Sequence, residues 1–348
     1  MKGNILNLLF FFLCVLLLSG CESSPDKEQN QSGGIPVIFD TDIGNDVDDT
    51  LAMGVIHALQ NRKECQLIAV TITKDNQYAA PMVSLINTFY GRPDIPVGLI
   101  RSGITPDDGR YLKEIVEMKN EKGEDAFPRT IQPNSNVQDA VDLLRKTLAD
   151  AEDGTVVAIQ VGFSTNFARL MDTEPDDISP LSGMELIKKK IRLLSVMAGI
   201  FVPKYNQVEY NIQCDVPAAK KLFAGWPTPI IFSGLEIGDV IRYPSVSMLN
   251  DYNYVEQHPL KEAYRYYRGL ERSQATFDLT SVLYAVRPEH GYFDLSEPGT
   301  VVLDEEGYTS FEPDANGLHR YLKVSETQIA QVREALCLLC SEPPKFKN

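Results

Sequence analysis

Six short apolar, β-branched runs punctuate the chain: "IPVIF" (35–39), "QLIAVTIT" (66–73), "IPVGLI" (95–100), "TVVAIQV" (155–161), "IRLLSVMA" (191–198) and "TPIIFS" (228–233). They lack the polar alternation of a strand with one wet face, so each predicts a strand covered on both sides. Between them lie helix-periodic segments: Asp49 to Leu59, Pro81 to Tyr90, Val137 to Ala149, Ser164 to Met171 and Val216 to Phe223. This β–α alternation predicts an α/β fold, a mostly parallel central sheet flanked by helices and Rossmann-like in its layering. In such sheets ligands bind beyond the carboxyl ends of the strands. The polar residues waiting there are Asp40 and Asp42, then Asp75 and Asn76, then "GFSTN" (162–166), then Glu236. They predict a convergent site without yet naming its chemistry.

The first residues follow a different pattern. Lys2 precedes an unbroken apolar run, Leu8 to Leu18. That run is shorter than the about 20 residues a membrane-spanning helix needs, and reads as the core of a secretory signal. "LSGC" (18–21) resembles the bacterial lipobox, which implies cleavage before Cys21 and lipid attachment to its thiol. Residues 1–20 are therefore expected to be a lipoprotein signal peptide. Residues 21–34 hold no large apolar side chain and are rich in Ser, Gly and charge, which predicts a flexible tether. The folded domain is expected over 35–348, undivided by any second linker or internal repeat, and long enough to bury roughly three quarters of its unfolded surface. The expected location is the bacterial cell envelope, periplasmic or surface side, with the membrane touched only through the lipid. Mass spectrometry of the mature protein should find modified Cys21 at the N-terminus; an unmodified terminus elsewhere would remove the lipoprotein reading.

Charge and cysteine usage narrow the partners. A formal net charge of −15 excludes a nucleic-acid polymer as the expected ligand, because phosphate neutralisation needs clustered Lys and Arg. It suits a cation. Beyond Cys14 and Cys21 the chain keeps Cys65, Cys214, Cys337 and Cys340. The pair in "CLLC" has no second CxxC and lies in "ETQIAQVREALCLLC" (326–340), whose apolar spacing predicts a terminal helix, so core packing is its expected role.

The densest chemistry is "DTDIGNDVDD" (40–49), which places five aspartates within ten residues at a buried strand end. If the strand stays extended, Asp40 and Asp42 point the same way. Gly44 supplies freedom for a sharp turn. Asp48 and Asp49 open a helix, where capping and the helix dipole favour carboxylates. That effect, with a solvated acidic loop, accounts for one aspartate and not for the crowd. Oxygen donors at this density suit a hard cation. No compact His/Cys set of the kind zinc prefers is present.

These residues also carry a family resemblance. "DTDIGNDVDD" after "VIF" resembles the N-terminal DxDxGxDD fingerprint of the nucleoside hydrolase family, with two extra residues before the final Asp pair. "AVTITKDNQYAA" (69–80) and "GRPDIPVG" (91–98) resemble the stretches that follow it. "VGFSTNFARL" (161–170) is similar to the family's "GPLTN" segment, "VEYNIQCDVPAAKKLF" (208–223) to "AEFNIYVDPEAA", and "FDLTSVLYAV" (277–286) to "HDPxAxAYA". The matches keep their order from residue 35 to about 290. The resemblance is to inosine/uridine-preferring, calcium-dependent members. It implies hydrolysis of the N-glycosidic bond of a nucleoside or related riboside by a Ca²⁺-bound water, a place in purine or pyrimidine salvage, and a possible homo-oligomer. It implies that Asp42 touches Ca²⁺ and activates water, that Asp49, Asp278 and the Val161 carbonyl complete the metal set, and that Asp48 holds a ribose hydroxyl. Asn76, Glu209 and Asn211 are implied as further sugar contacts. The insertion makes Asp46 a competitor for the role of Asp48.

One position departs from the family pattern. Phe277 stands where many members place a histidine that assists departure of the base. A phenyl ring donates no proton but can stack on an aromatic base. His290, in the nearby "RPEHGYFD", is a candidate to substitute for that histidine, and Tyr205 and Tyr210 are further possible contacts. Asn206 is a candidate for the Asn of the family's upstream "GNxTP" stretch, altered here to "GIFVPKYNQ". Two other readings follow. The first is a lipid-anchored nucleoside- or sugar-binding protein that kept the metal site and lost turnover. The second is a Mg²⁺-dependent phosphatase of the haloacid-dehalogenase kind, with Asp40 as nucleophile, although the later Lys and acidic pair it needs are not found in order.

Overall fold

The structure, a computed structural model, describes residues 34–104 and 109–345; the signal peptide, Cys21 and nearly all of the tether lie outside the described residues. The strands are β1 (Ile35–Thr41), β2 (Cys65–Lys74), β3 (Val97–Ile104), β4 (Gln138–Asp139), β5 (Val156–Gln160), β6 (Ile191–Met197) and β7 (Ile230–Ser233). Then come β8 (Arg242–Tyr243), β9 (Gln274–Ala275), β10 (Asp294–Leu295), β11 (Gly299–Leu303), β12 (Thr309–Pro313) and β13 (His319–Lys323). The helices begin with α1 (Asp48–Asn61), α2 (Ala79–Phe89), α3 (Leu112–Val116), α4 (Ala140–Asp150), α5 (Thr165–Met171) and α6 (Gly183–Lys190). They continue with α7 (Tyr210–Cys214), α8 (Val216–Gly225), α9 (Leu235–Val240), α10 (Ser245–Asn250), α11 (Pro259–Arg268), α12 (Phe277–Val286) and α13 (Glu326–Cys340).

One large sheet runs in the order β12-β11-β13-β7-β6-β5-β1-β2-β3-β4, with β10 also paired to β13. From β13 through to β4 every pairing is parallel, while β11 pairs antiparallel with β12 and β13. All six predicted strands are present in the parallel part. Strand β1 shows why its sequence is apolar throughout. Val37 and Phe39 face one layer, packed with residues of α1, α2, α12 and α13. Ile38 faces the other, with Leu144, Phe167, Leu186 and Leu222. Alternate side chains leave a strand on opposite faces, and each such fully buried side chain contributes about 1.5–3 kcal/mol.

The antiparallel β10–β13 segment was not among the predicted strands. Its edge strand β12, "TSFEP", is largely exposed, so it carries no buried apolar run to betray it. The predicted helix from Val137 starts instead at Ala140, after Asp139 caps it by accepting from Val141 N and Asp142 N. Helix α13 forms as expected. Its Cys340 is fully buried, and the thiol donates to the Leu51 carbonyl at 3.5 Å, so this half of "CLLC" is a core group.

The topology fixes where a ligand can go. The chain moves outward from β1 through β2 and β3 to β4, then returns to β5 on the other side of β1. A crevice opens at such a reversal, beyond the carboxyl ends of the two strands. Asp42 follows β1 and Val161 follows β5 there, held together where Val161 N donates to the Asp40 carbonyl at 2.7 Å.

Candidate functional site

The acidic loop turns at Gly44, whose φ of +115° is unfavourable for any side chain. A Cβ there would also lie 2.5 Å from Leu112 Cδ1. The two-residue extension is pinned from outside. The Tyr111 hydroxyl donates to the Asp46 carbonyl at 2.9 Å and pairs with the Thr50 hydroxyl at 2.9 Å. Across the crevice Gly162 has no room for a side chain, because a Cβ would sit 2.6 Å from Asp42 N and from Thr73 Oγ1. The strand-end backbones therefore touch, and Asp42 is delivered to one place.

A solvated acidic loop does not describe the result. Asp40 and Asp48 are 0% exposed, Asp49 1%, and Asp42 and Asp278 4%. Val47 is the N-cap of α1 and offers no capping side chain, so Asp48 and Asp49 are not caps. A helix dipole contributes about 0.3–1 kcal/mol, well below the several kcal/mol that each buried ion loses in hydration.

Each carboxylate has a partial set of partners. Asp40 Oδ1 accepts from Thr71 Oγ1 at 2.5 Å and Asn166 Nδ2 at 2.8 Å. The Thr41 hydroxyl donates to Asp49 Oδ1. Asn45 Nδ2 donates to Asp42 Oδ2, and buried Lys74 donates to Asn45 Oδ1 at 2.7 Å. The backbone N–H of Asp278, in the first turn of α12, donates to Asp48 Oδ2 at 3.2 Å. Asp48 Oδ1 and Asp49 Oδ2 are buried without a hydrogen-bond partner. Burial pushes Asp42 up to about 7, with the Asp46 charge adding to it. Asp48, Asp49 and Asp278 stand well above the usual carboxylate range, through burial first and then the charge of a neighbouring aspartate, which is Asp46 for Asp48, Asp42 for Asp49 and Asp48 for Asp278. Burial also lifts Asp40 and Glu209 to about 7.

Asp42, Glu209 and Asp278 among these groups line a cavity of about 400 Å³. Its lining includes Asp42, Asp46, Val161, Glu209, Asn211, Phe277 and Asp278. Glu209 is held by the start of α7, accepting from Asn211 N at 2.9 Å and Ile212 N at 3.2 Å. Asn211 Nδ2 donates to the carbonyls of Val161 at 2.8 Å and Met197 at 3.2 Å, which leaves its Oδ1 as the acceptor available to a ligand.

Several sequence candidates fall elsewhere. Asp48 and Asn76 are buried and are not among the cavity-lining residues, whereas Asp46 is; Asp48 still holds an oxygen within 4.8 Å of those of Asp46 and Asp278, directly behind the wall. The haloacid-dehalogenase reading fails on Asp40, which is sealed between β2 and α5 and cannot attack a ligand. Glu236 accepts from Phe201 N at 3.3 Å, away from the cavity. Exposed His290 stacks on Tyr292 with ring centroids 5.7 Å apart, and Asn206 is exposed. Tyr205 donates to Asp239 Oδ2 at 2.5 Å beside a separate cavity, while Tyr210 does line this one. The sequence reading did not single out Asn45, Lys74, Arg110 or Tyr267. Lys74 had a signal, since it follows the second predicted strand immediately. Arg110 and Tyr267 had none, because only the fold brings them to the same opening.

The residues fit a hard cation. Oxygens of Asp46, Asp48 and Asp278 all lie within 4.8 Å of one another. Asp48 Oδ1 and Asp49 Oδ2 lack donors, and the candidate ligands all offer oxygen, as suits calcium and magnesium. Mutual repulsion among these carboxylates is the disadvantage a divalent ion reverses.

A family model described as "Inosine-uridine preferring nucleoside hydrolase" matches residues 37–331. Among solved structures, a plant nucleoside hydrolase has a TM-score of 0.64 at 18% identity, covering 89% of this chain and 99% of its own. An inosine-uridine preferring nucleoside hydrolase from Bacillus anthracis has a TM-score of 0.65 at 18% identity, covering 88% and 99%. A purine-preferring ribonucleoside hydrolase from Gardnerella vaginalis gives 0.64 at 18%, covering 88% and 98%. These likenesses establish the α/β architecture. An uncharacterized protein of Schizosaccharomyces pombe is 26% identical over 215 residues, which is 58% of this chain and 61% of that relative's length.

Proposed function

The chain belongs to the inosine-uridine preferring nucleoside hydrolase family, and from that premise we propose that it hydrolyses the N-glycosidic bond of a nucleoside or related riboside. The observation that carries this reading is the position of Asp42, a buried carboxylate on the cavity wall with one oxygen fixed by Asn45. Breaking such a bond passes through an oxocarbenium-like sugar. The carboxylates of Asp42, Asp46 and Asp278 present negative charge where that positive charge develops. Asp42 takes the proton of the attacking water, and a pKa raised to about 7 in the cation-free protein suits a base at neutral pH. Asp46 and Asn211 Oδ1 accept from sugar hydroxyls, and Glu209 lines the same wall. Asp42, Asp46, Asp48, Asp49 and Asp278, with the Val161 carbonyl, would hold a calcium ion. Such an ion, when bound, supplies Lewis acidity toward water and a fixed charge that orients sugar hydroxyls.

A panel of ribosides and related N-glycosides, assayed for reducing sugar with and without chelator, tests the reading. At least one member should be cleaved, and chelation should stop cleavage. Phe277 favours a second reading, a binding protein that has lost turnover. It predicts ligands that raise the Tm while releasing no sugar, and that result would replace the hydrolase proposal.

A further inference from the structure

Phe277 lines the cavity and cannot protonate a departing base, yet a cation is present at the same opening. We propose that Arg110 stabilises the negative charge that develops on the departing base. The inference rests on the hydrolase reading above.

Arg110 is the one Lys or Arg among the described residues that line this cavity. Its backbone is built into the site: Arg110 N donates to the Gly44 carbonyl at 3.0 Å, at the turn of the acidic loop. The preceding Gly109 has a φ of +69°, and a Cβ on it would lie 2.8 Å from that same carbonyl oxygen. The side chain is set against Tyr267, with the guanidinium carbon 5.5 Å from the ring centroid and Nη1 3.5 Å from the hydroxyl. Tyr267 in turn packs edge-on against Tyr111, the anchor of the acidic loop, at 6.3 Å. Arg110 forms no ion pair with a described residue, although five aspartates crowd the same loop. A guanidinium carries five donors in a planar fork, and Tyr267 engages only one of them. What remains is a cation with several donors at the exposed mouth, flanked by Tyr267 and sharing a cavity with Phe277.

The step balances without an acid in this position. The bond from C1′ to the base nitrogen breaks, and both electrons leave with the base. The water oxygen forms the new bond to C1′, and its proton passes to Asp42. The base departs as an anion delocalised onto its ring oxygens or nitrogens, where Arg110 donates to it, and it then takes a proton from solvent. Asp42 returns its own proton to solvent.

Two substrates separate this role from any other: inosine, whose base departs with difficulty, and p-nitrophenyl β-ribofuranoside, whose phenolate leaves readily. In Arg110→Met, kcat/KM on inosine should fall by about 100-fold, the scale of losing one charge-stabilising donor. On the nitrophenyl riboside it should fall less than about fivefold, and Arg110→Lys should recover part of the inosine activity. Equal losses on both substrates, or no loss on inosine, would overturn the proposal. A wild-type enzyme that cleaves the nitrophenyl riboside but no nucleoside would also overturn it, while leaving a glycosidase in place. Inactivity of the wild type on both with calcium present would remove the hydrolase reading itself. Arg110 is exposed, so near-native circular dichroism and Tm are expected for both variants.

Discussion

Asp42→Asn should lower kcat by about 10²- to 10⁴-fold, the range of a lost general base, while making the cation-free protein more stable. The two effects have one origin. Asp42 is buried beside Asp46 and Asp49, and its ionised form is opposed by both burial and their charge. An asparagine keeps an oxygen to accept from Asn45 Nδ2 and sheds the charge. Turnover disappears because an amide cannot take a proton from water. Single-turnover kinetics beside thermal melts in chelator would show both signs at once. A variant that keeps activity within tenfold would dismiss Asp42 as base, and a lower melting temperature without cation would dismiss the crowding argument.

The second large effect is on the dependence of stability upon the cation and pH. Folded-state pKa values are raised for Asp40, Asp42 and Glu209, each to about 7, and Asp48, Asp49 and Asp278 also stand well above the usual carboxylate range. Between about pH 4 and 7 the folded protein thus holds protons the unfolded chain has released. Stability of the cation-free protein is greatest below that window and falls as pH rises through it, by on the order of a few kcal/mol in all. A divalent cation replaces the protons, so its contribution grows as they leave. Chelation at pH 8 should lower the Tm by on the order of 10 °C, as for a ligand near a thousand times its Kd. At pH 5 the loss should be much smaller. Equal losses at pH 5 and pH 8, measured by differential scanning calorimetry, would rule out a cation site made of these carboxylates.

The parallel sheet was legible because burial on both faces leaves strands with nothing polar to write. The same logic hid β12, where exposed side chains alternate without a clear apolar face. Within the site, the crowding of aspartates was legible as a conflict that a cation, or protons in its place, would relieve. Which aspartate meets the ligand was not. The path of the extension is set by Leu112 and by the Tyr111 hydroxyl, some 65 positions away from Asp46. Those contacts bring Asp46 to the cavity wall, while Asp48 accepts from the first turn of α12 and keeps an oxygen within 4.8 Å of Asp46. Arg110 and Tyr267 are 157 positions apart and meet only because α11 packs near α3. Local pattern holds no record of such a meeting.

Asn45 joins two opposite charges in a fixed order, with its oxygen toward Lys74 and its nitrogen toward Asp42. A link of that kind is polar in a directional sense, and size alone cannot replace it. Aspartate would accept from Lys74 but confront Asp42 with another anion. Leucine would fill the volume and speak to neither. The identity of position 45 is therefore dictated by the sign of its neighbours, and through it a lysine at the end of one strand steadies an aspartate at the end of the next.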